Sequence, residues 1–163
     1  MTKALRPITV IKEKRCGRIK GYTCADGRPQ REYVPKSDSS SPTIGTESLL
    51  LSFMIDALEE RYVGTADVVG AFLKADMDKF ILVKLEGTMV SYLAEANPEK
   101  YKPFVTQERG RKVIYLRLRQ ALYGCVQSGF LWWRLYSTTL VEKLGFTINE
   151  YDNCVATKTV NGK

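Results

Sequence analysis

Apolar residues recur at helical spacing from Thr46 to Glu60, where Leu49, Leu50, Phe53, Met54, Ala57 and Leu58 share a face opposite Ser52, Glu59 and Glu60. Such a stripe predicts a core-packing helix. Thr46 is placed to cap it, and Glu47 to meet the positive end of its dipole. A longer stripe runs from Cys125 to Leu144, with Trp132, Leu135, Tyr136, Leu140 and Leu144 toward the core and Gly145 placed to end it. Lys79 to Leu85 (KFILVKL) alternates polar and apolar residues instead, which predicts a strand covered on one face. Tyr62 to Val69 (YVGTADVV) reads as a buried strand, Gly70 to Asp76 as a short helix, and Met89 to Ala96 as a helix stopped by Asn97–Pro98. Lys112 to Arg119 reads as a strand after the turn Arg109–Gly110–Arg111.

Nearer the N-terminus, Met1 to Arg15 shows no clear period. Arg18 to Ala25 predicts a strand, Asp26–Gly27–Arg28–Pro29 a turn, and Arg31 to Val34 the return strand of a hairpin. Residues 37–45 predict a loop. Toward the other end, Phe146 to Ile148 and Cys154 to Thr159 predict short strands before Asn161–Gly162, a strong hairpin signal that only Lys163 follows. A turn with no second strand leads us to expect a truncated domain. The predicted class is α+β: an antiparallel sheet packed by the helices near 46–60 and 125–144.

A chain of 163 residues that is 44% hydrophobic can build one core. It contains no apolar run long enough for a membrane span and no apolar stretch behind its basic start, so an intracellular protein is expected. The absence of histidine removes zinc-finger and Ser–His–Asp chemistry. Cys16, Cys24, Cys125 and Cys154 are widely spaced and read as free or buried thiols. Charge is uneven. Residues 1–36 hold ten Lys and Arg against three Asp and Glu, whereas residues 37–163 hold fifteen of each. The excess of +7 therefore sits in the first segment, which suits a polyanion or is a solvated basic tail.

Chemistry concentrates at Thr65–Ala66–Asp67–Val68–Val69–Gly70–Ala71–Phe72–Leu73, where an acid ends an apolar stretch and a small residue and an aromatic follow. A carboxylate there suits a cation-binding role, because polymerases clamp magnesium between carboxylates and phosphates. On spacing alone a cap on the following helix suits it better.

The stretch TADVVGAFLKADMDKFILVKLEG resembles the copia-type (Pseudoviridae-like) retrotransposon reverse transcriptase pattern built on an Asp-Val-x-x-Ala-Phe-Leu core. LRLRQALYGCVQSGFLWWRLYSTTLVEKLGF resembles the same family's Leu-Tyr-Gly-Leu-Lys-Gln-Ser-Pro-x-x-Trp block, and IKGYTCADGRPQ its fingers stretch. Three blocks in order cover nearly the whole chain. The resemblance implies an RNA-directed DNA polymerase of right-hand fold, with fingers-like parts at about 1–45 and 77–120 and palm-like parts at about 46–76 and 121–163. It implies Mg²⁺, deoxynucleoside triphosphates and a primer–template as ligands, and a cytoplasmic particle or nuclear location. Carried over by position, Asp67 is the first catalytic, metal-binding aspartate and Val68 a carbonyl ligand. Phe72 is the aromatic gate against a ribose 2′-hydroxyl, although a plain core aromatic fits it as well. Tyr123 and Gly124 fall in the nucleotide pocket. Gln127 and Ser128 open a template-facing helix. Lys20 and Tyr22 lie near the triphosphate, where Lys20 also fits an ordinary exposed strand lysine. Nucleic-acid contacts are expected from Arg15, Arg18, Arg109, Arg111 and Lys112, with Arg117 and Arg119 beside them.

The chain departs from the pattern in four places. Tyr22 stands where the family has a phosphate-gripping arginine, offering one neutral hydroxyl in place of a charged fork. Val126 replaces a lysine and Gly129 a proline. The family's Tyr-Val-Asp-Asp hairpin, expected just past Lys163, is missing, and Asp76, Asp78 and Asp152 sit in the wrong context to replace it. Polymerase activity is therefore not expected of these residues alone. A non-catalytic basic nucleic-acid-binding module and a degenerate transposon remnant stand as alternatives.

Overall fold

A computed structural model describes residues 4–160. The Asn161–Gly162 turn lies outside them. The chain folds as α+β with small antiparallel sheets. Strand β1 (Pro7–Glu13) pairs with β2 (Ile19–Ala25) in a hairpin closed by a tight turn at Lys14–Gly17. The central sheet has the order β3 (Leu82–Glu86), β5 (Arg111–Arg117), β4 (Thr106–Glu108), all antiparallel. A third pair, β6 (Thr147–Ile148) and β7 (Ala156–Thr157), lies near the C-terminus.

The alternation read in KFILVKL is realised in β3, where Val83 and Leu85 point inward and Lys84 between them reaches Glu86 and Glu108, each at 2.8 Å. In β5 the consecutive Val113 and Ile114 face opposite sides of the sheet, and both are buried. Leu5 joins the free edge of β3: its N–H donates to the Leu82 carbonyl and its own carbonyl accepts from Lys84 N–H, both at 2.8 Å. Leu5, Ile81, Val83, Leu85, Val90 and Ile114 form the main core together with Ala25 and Cys125. Val90 comes from helix α2 (Thr88–Ala96), which ends at Asn97, as Asn97–Pro98 predicts; Asn97 then caps the short α3 (Pro98–Tyr101) by accepting from Lys100 N–H at 3.1 Å. A smaller cluster of Ala75, Ala121 and Leu131 sits beside it, with Met77 packed against both.

Three expectations need correction. Residues 31–34 are not a return strand. Arg28–Glu32 is a 3-10 turn, begun by Asp26 accepting from Arg28 N–H at 3.2 Å, and Pro29 inside it has no N–H for a ladder. The partner of β2 is β1, inside the segment that shows no period. That hairpin buries almost nothing except Ala25, so no one-sided pattern marks it. Residues 62–69 form no strand and are exposed, with Tyr62 and Val69 almost fully so. Their β-branched composition favours a strand only where a sheet edge is free, and Leu5 and β4 already flank the central sheet.

The two main helices exist, but they pack differently from the prediction. Helix α1 is Thr46–Leu58, and Gly45, not Thr46, is its N-cap. None of its residues is buried: Leu50, Leu51, Phe53, Met54 and Leu58 are more than half exposed. Its N-terminus is tied down by Asp152, whose Oδ2 accepts from Gly45 N–H at 2.8 Å. Helix α4 is Ser128–Thr138, continued by a π-helical turn Thr139–Lys143 before Gly145. It buries Ser128 and Leu131, while Leu135, Tyr136 and Leu144 of the predicted core face are exposed. No helix among the described residues is long and apolar enough to cross a membrane.

Candidate nucleotide and nucleic-acid site

Residues far apart in sequence converge on Tyr123–Gly124. The end of β2 arrives there because Ala25 N–H donates to the Tyr123 carbonyl at 2.7 Å. Phe72, in the 3-10 turn Ala71–Lys74, packs its ring on Tyr123 with centroids 4.7 Å apart and a 35° tilt. Aromatic pairs gain from such offset geometry beyond their burial. Gly124 has φ +89, and a Cβ placed on it would fall 2.0 Å from the Ala25 carbonyl oxygen. Gly27 meets the same segment from the other side, where a Cβ would lie 2.1 Å from the Gly124 carbonyl oxygen. Backbone here touches backbone, and glycine is what permits it.

A buried polar relay locks the junction. Gln30 is fully buried; its Oε1 accepts from Val126 N–H and its Nε2 donates to Gln127 Oε1, both at 2.9 Å. Gln127 Nε2 in turn donates to Met77 Sδ at 3.4 Å. Ser128 Oγ donates to the Leu122 carbonyl at 2.7 Å. The template-facing role expected of Gln127 and Ser128 does not match this placement: they are 0% and 1% exposed and spend their polar atoms inside the fold. Sequence reasoning missed Gln30 and Met77. Gln30 lies in the GRPQ stretch, but nothing local marks it as buried.

Lys20 and Tyr22 lie two apart on β2 and so share a face; the ammonium sits 5.3 Å from the ring centroid, a cation–π distance. Both are exposed, as are Arg15 and Arg18 toward the hairpin tip. The Arg18 guanidinium donates to Cys16 Sγ at 3.4 Å and lowers that exposed thiol's pKa below its ordinary value. Arg109, Arg111 and Lys112 cluster at the β4–β5 turn, also exposed. Arg117 lies over the Phe80 ring at 5.1 Å, and the Arg119 carbonyl accepts from Met77 N–H.

Asp67 and Val68 are exposed in the irregular stretch before Gly70. Among the described residues no group of three or more acidic or thiol side chains gathers into a metal cage. Asp67 with one backbone carbonyl is a partial oxygen set. Mg²⁺ asks for near-octahedral oxygen coordination, so these residues fit the ion only beside oxygens that a bound phosphate supplies. Comparison with family models, with curated proteins and with solved structures finds no match to this chain.

Proposed function

We propose that this chain is the fingers and first palm portion of a copia-type reverse transcriptase, serving to hold a nucleic-acid strand and a deoxynucleoside triphosphate. The observation that carries the reading is the meeting of the three resembling blocks at one place. Ala25, in the IKGYTCADGRPQ stretch, bonds to Tyr123 of the LYG block; Phe72, in the stretch around Asp67, stacks on Tyr123; and Gln30 ties the first stretch to Val126 and Gln127. The nucleotide-facing surface would then be formed by Lys20 and Tyr22 on β2 with the Phe72–Tyr123 pair, and Arg15, Arg18, Arg109, Arg111 and Lys112 would add sequence-blind backbone contacts. Asp67 and Val68 would contribute ligands to a Mg²⁺ held mainly by the nucleotide's own phosphates.

A labelled deoxynucleoside triphosphate titrated into the chain with magnesium and a primer–template tests this. Binding should weaken on Asp67→Asn and on removal of magnesium, and Phe72→Ala should narrow the preference for deoxy- over ribonucleotide. Primer extension by the chain alone is not expected, since one carboxylate cannot clamp two metals about 4 Å apart. Nucleotide binding indifferent to both substitutions and to magnesium would sink the reading. The alternative of a binding module without nucleotide chemistry would be favoured if strand binding persisted in that case.

A further inference from the structure

The 3-10 turn Arg28–Glu32 and the loop behind it form one wall of a cleft of about 540 Å³; Gly124 and Val126 form the other. Arg28, Arg31 and Lys36 line it, and among the described residues no carboxylate does. The acids of this segment are placed elsewhere. Asp26 is held by Arg28 at 2.7 Å, Asp38 by Lys79 at 3.2 Å, and Glu32 does not reach the cleft wall. Arg28 uses one edge of its guanidinium on Asp26, through Nε and one Nη, which leaves its other N–H groups free. Arg31 and Lys36 have no ion-pair partner among the described residues. Where the two walls meet, Gly27 abuts Gly124, so backbone rather than side chain closes the floor.

Arg31 and Lys36 bring two unpaired cations to one concavity beside Arg28, whose charge Asp26 already balances, and an entering anion relieves their repulsion. We infer that this cleft binds the phosphodiester backbone of a single polynucleotide strand. Its size admits more than one phosphate, and a convex duplex does not enter a cleft as a flexible strand does. The inference rests on the proposed function only for choosing a polynucleotide over another polyanion.

The test is fluorescence anisotropy of a labelled single-stranded oligothymidylate with the full chain, repeated across a salt series. The double variant Arg31→Gln/Lys36→Gln is compared with Lys100→Gln/Lys102→Gln, which removes the same charge from an exposed surface away from the cleft. The cleft variant should bind roughly tenfold more weakly, with the salt slope reduced by about 1.4 for two lost phosphate contacts. The control should change by less than about twofold. Circular dichroism should show both folded, since all four side chains are exposed. Equal losses in the two variants, or no loss in the cleft variant, would overturn the inference. So would displacement of the strand by inorganic tripolyphosphate at equal phosphate concentration, which would make this a free-polyphosphate site. Failure of the magnesium-dependent nucleotide assay with strand binding intact counts against the polymerase reading alone; an inert cleft variant with nucleotide binding intact counts against the cleft alone.

Discussion

Gly124→Ala is the sharpest single perturbation of this architecture. The new Cβ would sit 2.0 Å from the Ala25 carbonyl oxygen and 3.0 Å from its carbonyl carbon. Both are backbone atoms, so no rotamer change relieves the overlap. The φ of +89 adds a cost of about 1–2 kcal/mol for any L side chain. Relief requires the hairpin end to withdraw by about an ångström, which stretches the bond from Ala25 N–H to Tyr123 worth roughly 1 kcal/mol. The withdrawal also strains the Gln30–Val126 and Gln30–Gln127 bonds, whose buried groups cost about 1–3 kcal/mol when unpaired. The expected loss is about 3–5 kcal/mol, a large share of a small domain's total. Urea unfolding followed by tryptophan fluorescence measures it. Gly21→Ala is the control. It lies in β2, would gain a Cβ with nothing within 4 Å, and has a backbone outside the left-handed region, so it should change stability by less than about 0.5 kcal/mol. A Gly124→Ala protein as stable as wild type would refute the close backbone docking of the hairpin on Tyr123–Gly124.

Other consequences can be checked separately. Gln30→Leu should cost about 2–4 kcal/mol in urea unfolding, because Val126 N–H and Gln127 Oε1 lose their partners, and adding Gln127→Leu should recover part of that loss. Arg109→Asn should stabilise by up to about 1 kcal/mol, seen as a raised Tm, since Arg109 and Gly110 form a two-residue hairpin turn with φ of 48 and 75 that Asn-Gly fits better. Alkylation at mildly alkaline pH should modify Cys16 first and Cys125 last by peptide mapping; Arg18 lowers the exposed Cys16 thiol, whereas burial pushes Cys125 up to about 11. The N–H groups of Gly45 and Cys154 hold the Asp152 carboxyl below its ordinary 3.8, so its contribution is present above that value and is lost as pH falls through the lower folded value. The protection factor of the Gly45 amide, taken relative to its intrinsic exchange rate at each pH, should accordingly fall in acid, and Asp152→Asn should remove that fall.

How far the sequence can be read depends on whether the deciding partner is near or far along the chain. The strand 82–86, the helix 88–96 and its stop at Asn97 are legible because alternation and capping are local, and β3 packs the side its alternation marks. Residues 7–13 do not show as a strand because the β1–β2 hairpin is exposed on both faces, and without a buried face there is no alternation to see. Residues 62–69 mislead in the opposite sense: the composition favours a strand, but strand formation needs an unoccupied edge, and Leu5, distant in the chain, holds the edge of β3. The α1 stripe correctly locates a helix, yet a stripe says which face is apolar and not whether anything covers it, and here the face is exposed. The candidate site divides along the same line. Phe72, Tyr123 and Gly124 are singled out by the resemblance alone, and that the Phe72 ring packs on Tyr123 is a contact no local pattern encodes. Gln127 is misplaced onto the surface because a buried glutamine and a template-reading one are identical in sequence. Only Gln30, 97 positions away, decides between them by occupying Gln127 Oε1. Arg31 and Lys36 are lost in the general positive charge of residues 1–36. They line one cleft only when the 3-10 turn and the loop after it lie opposite Gly124 and Val126, a juxtaposition that no local pattern encodes.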